Sequence, residues 1–459
     1  MTATLKRAKS EMDLTSGSIL KKMFFYSIPF IFTNILQILF NAADVAVIGI
    51  FRGDDAVAAV GANTTLSGLL VSFFVAFSMG SNVVLARYVG AKDVDNARKT
   101  VATSILLAII AGVLLALIGV PLAPTFLKWM ACDPAILDMA TVYLRIYFLG
   151  MPVTMLYNFC ASILRAVGDT KRPLVFLLIG GVTNVLLNLF FVCVLNKSVE
   201  GVAIATITSQ AISAVLSLIV LCKGTGYATL KKEYLGIHKK QLVEIFKIAL
   251  PSGIQSIAFN ISNVLIQSTI NSFGAVGMSA NTTAQQYDAV IYNIGNAVAM
   301  SSMAFVSQNV GAKRMDRVKT SIFCGMFLGT ILTLSVGLLF AILSPVLCGI
   351  IASSQEVIDM AVIRLSIMSV GYFICAIMEV FSYSLRALGR SVLTLIISVL
   401  GSVVIRILFV NIAFSIVPEF YIIFLAYPVS WLTTVIAYVC VVPGVYKKVK
   451  RKIEMGGEL

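Results

Sequence analysis

Four polar residues interrupt the first long apolar run of the chain, residues 27–51: Asn34, Gln37, Asn41 and Asp44. At 100° per residue they fall at about 0°, 300°, 340° and 280°, so they share one narrow stripe of a helix. The rest of the circumference is Ile, Leu, Phe, Val and Ala. A carboxyl in such surroundings costs several kcal/mol unless it faces a cavity, finds a partner or binds a cation. Asp44 is therefore the first candidate to hold a proton or a sodium ion, with Gln37 and Asn41 placed to orient it. Asn184 and Asn188 lie i, i+4 on one helical face. Their amides can hydrogen-bond the acid, ligate sodium through carbonyl oxygens, or simply link helices.

A second group lies in the carboxy-terminal half. Asp288 shares a helical face with Asn281, Gln285, Tyr292 and Asn296. Glu379 stands seven residues before Arg386, and the residue at the same distance before Arg165 is Asn158. An unpaired carboxylate in a low dielectric attracts cations strongly. Asp288 and Glu379, with Asn158, Tyr292 and Gln285, are therefore candidates to hold a cationic substrate; the alternative is a helix-packing network. Arg406, in an apolar segment, is expected to form a structural ion pair with Glu379, which fixes arrangement more than it stabilises. A Glu379 without that partner would be a third binding carboxylate.

Other chemistries lack their residues. The single histidine, His238, falls in a loop, and none of the eight cysteines forms a CxxC. A metal centre or disulfide framework is not expected. There is no HExxH, GxxxxGK[ST] or Ser/His/Asp set, so the chain does not read as an enzyme.

These residues must be positioned by membrane helices. Of 459 residues, 59% are hydrophobic and only 12% charged, and the mean hydropathy is +0.96. Apolar runs long enough to cross a bilayer recur from end to end. Twelve segments are expected, at 18–51, 55–88, 96–119, 134–158, 160–195, 199–222, 241–271, 276–309, 316–347, 356–384, 388–414 and 419–445. Pro29, Pro152, Pro251 and Pro428 are candidate bends. With an amino terminus on the inner side and no cleaved leader, 29 of the 35 Lys and Arg fall in inner segments. Only Arg52, Lys128 and Lys197 fall in outer ones. The positive-inside rule then places both termini in the cytoplasm. The +14 net charge follows from this topology, so nucleic acid is not an expected partner.

The chain also repeats itself. Val89-Gly90-Ala91-Lys92 recurs 221 residues later as Val310-Gly311-Ala312-Lys313. Leu164-Arg165-Ala166-Val167-Gly168 recurs at the same offset as Leu385-Arg386-Ala387-Leu388-Gly389. A six-helix offset predicts an all-α membrane protein of twelve transmembrane helices, in two six-helix bundles related by a pseudo-twofold axis along the membrane normal. The expected organisation is a tail at 1–17, bundles at 18–222 and 241–445, a linker at 223–240, and a basic tail at 446–459.

With Leu36-Gln37, Phe40-Asn41-Ala42-Ala43-Asp44 and Gln308-Asn309 added to these repeats, the chain resembles the multidrug and toxic compound extrusion (MATE) transporters over about residues 14–445. The resemblance implies an efflux antiporter for organic, often cationic, drugs, driven by a proton or sodium gradient. It also implies no cofactor beyond that ion, which binds the first-span acid, here Asp44. Asn188 departs from proton-coupled relatives that have Asp there, and Ser256 from sodium-coupled relatives that have Glu nearby. A monomer in the plasma membrane is expected. The rival reading is a lipid-linked oligosaccharide flippase of the same superfamily. That activity calls for a basic cavity, whereas the mid-membrane polar groups here are mostly acids and amides.

Overall fold

The structure is a computed structural model that describes residues 11–130 and 132–457, apart from the side chains at 54, 64–67 and 69. Lys6, Arg7 and Lys9 of the expected amino-terminal tail lie outside the described residues, as do the last two residues of the basic tail. The described chain is helical, with no strand.

The first half contains α1 (Ile19–Arg52), α2 (Asp54–Gly90), α3 (Val94–Trp129), α4 (Leu137–Leu149), α5 (Met151–Ala166), α6 (Lys171–Leu189) and α7 (Val199–Lys223). A π-helical turn, Phe190–Val194, continues α6. The second half contains α8 (Lys239–Asn271), α9 (Gly274–Gly311), α10 (Met315–Ile342), α11 (Ser344–Ile351), α12 (Gln355–Ala387), α13 (Ser391–Ser398), α14 (Ile405–Ile416) and α15 (Phe420–Glu454). A second π-helical segment, Val399–Val404, joins α13 to α14. Among the described residues eleven helices are long and apolar enough to cross a membrane, and the number is twelve when α4 and α5, bent by 48°, are counted as one broken span. That bend falls at Gly150, with Pro152 in the first turn of α5. The fourth and fifth spans divide at Gly168 rather than at residues 158–160 as expected.

The repeated motifs are repeated turns. Lys92 and Lys313 both take left-handed backbone, at φ 59° and 57°. In each, the two amides that follow the helix turn back onto it: Lys92 onto Val89 and Asp93 onto Tyr88, Lys313 onto Val310 and Arg314 onto Asn309. This is the Schellman pattern of helix termination. Gly168 (φ 97°) and Gly389 (φ 75°) do the same, with the residue type that pays no Cβ penalty there. Gly168 is required twice over, because a Cβ on it would lie 2.2 Å from the Met12 carbonyl oxygen.

Packing divides the chain into two compact units. One holds the residues up to Asp13 and Phe32–Ala249; the other holds Leu14–Ile31 and Leu250–Leu459. The repeat bounds of 18–222 and 241–445 follow sequence symmetry, while the contacts exchange the leading segment of each half. Both crossings fall beside a proline inside a helix, Pro29 in α1 and Pro251 in α8. Proline removes one hydrogen bond of the helical ladder and favours a bend there.

The first unit also takes up the expected linker. Tyr227 and Ala228 join its core beside Leu85, Val89, Ile163 and Leu164. The His238 amide donates to Thr103 Oγ1 at 3.1 Å. In the second unit Leu14 is fully buried, and its carbonyl accepts from Asn309 Nδ2 at 3.1 Å. The Thr15 carbonyl accepts from Arg314 Nη1 at 2.8 Å. The basic stretch from residue 446 continues α15 as far as Glu454.

Candidate functional site

Asp44 is placed by the apolar face of α1. Leu36 and Phe40, two turns and one turn earlier, pack on Tyr157, Ala161, Leu177 and Ala214. Residues four apart lie on the same side of a helix, so the same packing turns Asp44 inward, and it is 9% exposed. Gly181 of α6 permits the approach: a Cβ there would lie 1.8 Å from the Phe40 ring. Gly181→Ala is therefore expected to destabilise the protein by about 1–3 kcal/mol through overpacking and to lower transport with it. A second change, Phe40→Leu, should restore much of both, as read by thermal unfolding and drug export.

Around the carboxyl stand two amides and a hydroxyl. Asn188 Nδ2 donates to Asp44 Oδ1 at 2.5 Å and lies 3.3 Å from Asn184 Oδ1. Thr206 Oγ1 of α7 lies 3.3 Å from Asp44 Oδ2, 2.9 Å from the Val202 carbonyl and 3.4 Å from Asn184 Nδ2. Asn188 is fully buried, and its Oδ1 has no hydrogen-bond partner. A buried amide oxygen left in this way forfeits its hydration, which a bound cation would replace.

The structure thus gathers Asp44, Asn184 and Asn188, and adds Thr206, which sequence reasoning missed. A threonine in an apolar helix carries no signal of its own, because its hydroxyl normally bonds the carbonyl a turn earlier. Gln37 and Asn41 are exposed, and neither hydrogen-bonds Asp44 among the described residues. The polar stripe of α1 is split lengthwise, with its edge member facing the core.

In the second unit the expected ion pair is replaced by another. Asp288 Oδ2 of α9 lies 2.9 Å from Arg364 Nη2 of α12, both buried. Arg364 Nη1 also donates to the Asn281 carbonyl at 2.9 Å, and the guanidinium lies 5.2 Å from the Phe424 ring centre. Asn281 Nδ2 reaches Gln267 Oε1 at 3.0 Å, and Gln267 Nε2 reaches Asn271 at 2.9 Å. The Gln267 amide of α8 therefore ties α8 to α9.

Arg406 does not pair with Glu379. Its Nε donates to Ser430 Oγ at 3.1 Å, and its guanidinium stands 4.2 Å from the Tyr427 ring centre. Helix register explains this. Glu379 precedes the turn at Leu388 by nine residues, and Arg406 follows Arg390 by sixteen. At 1.5 Å per residue their levels differ by about 10 Å.

Glu379 instead lines a small cavity with Tyr292, Asn296, Thr333, Tyr372 and Cys375. Asn296 Nδ2 donates to Tyr383 OH at 3.1 Å. Arg386 stands 4.6 Å from the Tyr383 ring centre and donates to Gln255 Oε1 at 2.9 Å. Of the substrate candidates, Glu379 and Tyr292 are brought together and Asp288 is engaged by Arg364. Gln285 is exposed. Asn158 belongs to the first unit and spends its amide on the Thr154 carbonyl at 2.9 Å.

Comparisons with known proteins bear on the family and the fold. The MatE family profile matches residues 29–190 and again 251–412. The Bacillus subtilis protein named "Probable multidrug resistance protein YoeA" is 25% identical over 389 residues, which cover 83% of this chain and 84% of that protein. The Staphylococcus aureus "Multidrug export protein MepA" is 21% identical over 398 residues, 85% of this chain and 87% of that one. The solved outward-facing conformation of a multidrug resistance MATE family transporter superposes with a TM-score of 0.91 at 19% identity, over 97% of this chain and 100% of that one. A transporter of the MOP superfamily from Pyrococcus furiosus superposes with a TM-score of 0.85 at 20% identity, over 98% and 99%. The two profile matches begin 222 residues apart, at 29 and 251, close to the interval of the internal repeat, and the chain belongs to the MatE family, the multidrug and toxic compound extrusion transporters.

Proposed function

We propose that the protein is a secondary active antiporter that exports organic, mostly cationic, compounds in exchange for protons or sodium ions. The observation that carries this reading is the Asp44 carboxyl, held inside the first unit beside the unpartnered Asn188 oxygen. Protonation would neutralise that carboxyl. Sodium would find oxygens on Asp44, Thr206, Asn184 and, after half a turn of its amide, Asn188, which suits a hard cation. The relatives named for multidrug resistance and multidrug export support the substrate class.

An ion drives alternating access only if it binds the two states differently. In the proposed cycle Asp44 takes up its ion from the outside, the cationic compound held near Glu379 and Tyr292 leaves, and the ion is then released inside. The transporter works as a monomer in the plasma membrane, with both termini cytoplasmic, as the distribution of Lys and Arg supports. The flippase reading would need buried cations available for pyrophosphate. Arg364, Arg386 and Arg406 are instead engaged by Asp288, Gln255 and Ser430.

Transport in proteoliposomes under an imposed pH gradient, and then an imposed sodium gradient, tests the proposal. An ethidium-like cation should move uphill under one of the two gradients, and a neutral compound less well. Uphill movement under neither gradient would contradict antiport.

A further inference from the structure

The last turns of α15 form a charged surface that the transport cycle does not use. The helix has 35 residues, about 50 Å at 1.5 Å per residue, against about 30 Å of hydrocarbon in a bilayer. Its end therefore stands at the level of the headgroups. It is not loose there: Val445, Val449 and Ile453, spaced by four, are buried at 8%, 1% and 8% exposure. Tyr446 OH donates to the Met315 carbonyl at the start of α10, at 2.9 Å.

One face is thus fixed to the second unit. The rest of the circumference carries Lys447, Lys448, Lys450, Arg451 and Lys452, all exposed. Through Tyr446 the surface adjoins the start of α10, where Lys313 and Lys319 are also exposed. Among the described residues the acids on these two stretches are Glu454, 3.7 Å from Lys450, and Asp316, so the patch keeps a strong positive excess. A rigid row of cations at headgroup depth, beside a membrane helix, matches the charge of phosphate-bearing lipids.

We propose that this face of α15 binds the anionic headgroups of the adjacent leaflet, and that the bound lipid fastens the end of α15 to α10. Only the name of that leaflet, the inner one, rests on the orientation proposed above.

The test is the thermal unfolding midpoint of the full-length protein in mild detergent, with phosphatidylglycerol or phosphatidylcholine added. Phosphatidylglycerol should raise the midpoint by about 3 °C relative to phosphatidylcholine, and about 0.5 M salt should erase the difference. Replacing the five cations of α15 by Gln should remove the phosphatidylglycerol effect and leave the phosphatidylcholine midpoint unchanged. Replacing its four lysines by Arg should keep the effect, because charge rather than residue identity is recognised. The proposal is overturned if the two lipids act alike, if the Gln variant keeps the shift, or if inorganic phosphate reproduces it. That last result would assign the surface to a soluble anion. Drug transport is read in neither arm, so failure here and failure of the antiport reading are distinguishable.

Discussion

Asp44→Asn is expected to abolish gradient-driven drug export while the protein still inserts and folds. The change is nearly isosteric: the new amide oxygen can still accept from Asn188 Nδ2, as Asp44 Oδ1 does, and its nitrogen can donate to Thr206 Oγ1. It removes the negative charge and the capacity to bind a proton. To swing a two-state carrier from 1:99 to 99:1, an ion must favour one state by about 10⁴-fold. Asn184, Asn188 and Thr206 supply no charge to sustain such a preference. Export by the variant should fall to that of cells without the protein, at wild-type membrane abundance. Export at the wild-type rate would remove Asp44 from the mechanism.

Arg364→Ala is expected to be the most destabilising single change in the second unit, at about 3–5 kcal/mol, because it strands the buried Asp288 carboxylate. It also frees the Asn281 carbonyl that Arg364 Nη1 satisfies. Adding Asp288→Asn should recover a large part of the loss, since the stranded charge is then gone. Arg406→Ala should cost less: its partners are the Ser430 hydroxyl and the Tyr427 ring, and no carboxylate is left behind. Thermal unfolding of the three variants against wild type checks the order. Equal losses for Arg364→Ala and Arg406→Ala would show that the ion pair is not what matters.

The contrast between those arginines shows where sequence reading reaches its limit. Element type and repeat were legible, because hydropathy and the doubled turn motifs are local: Lys92 with Lys313, and Gly168 with Gly389, adopt like backbone. That Asp44, Asn184 and Asn188 are polar groups on apolar helices was equally visible. Partner choice was not. It depends on the axial level and rotation of helices far apart in the chain, so Arg364 was passed over for Arg406. Level could have been counted from the shared turn at Leu388, and that count separates Glu379 from Arg406. Rotation is finer still. Gln37 and Asn41 lie within about 60° of Asp44 on the helical wheel, yet are exposed while Asp44 is buried, because Phe40 meets Gly181. The exchange of leading segments between the two units was invisible to the repeat, which records ancestry rather than contact.

The most direct measurement of the central claim is ion movement triggered by substrate in proteoliposomes, followed with a lumenal pH dye and with radioactive sodium. Addition of a transported cation to wild-type vesicles should release one of the two ions in a fixed ratio to drug taken up, and the Asp44→Asn protein should release neither. Equal ion release from wild type and variant would contradict the assignment of Asp44 as the coupling carboxylate.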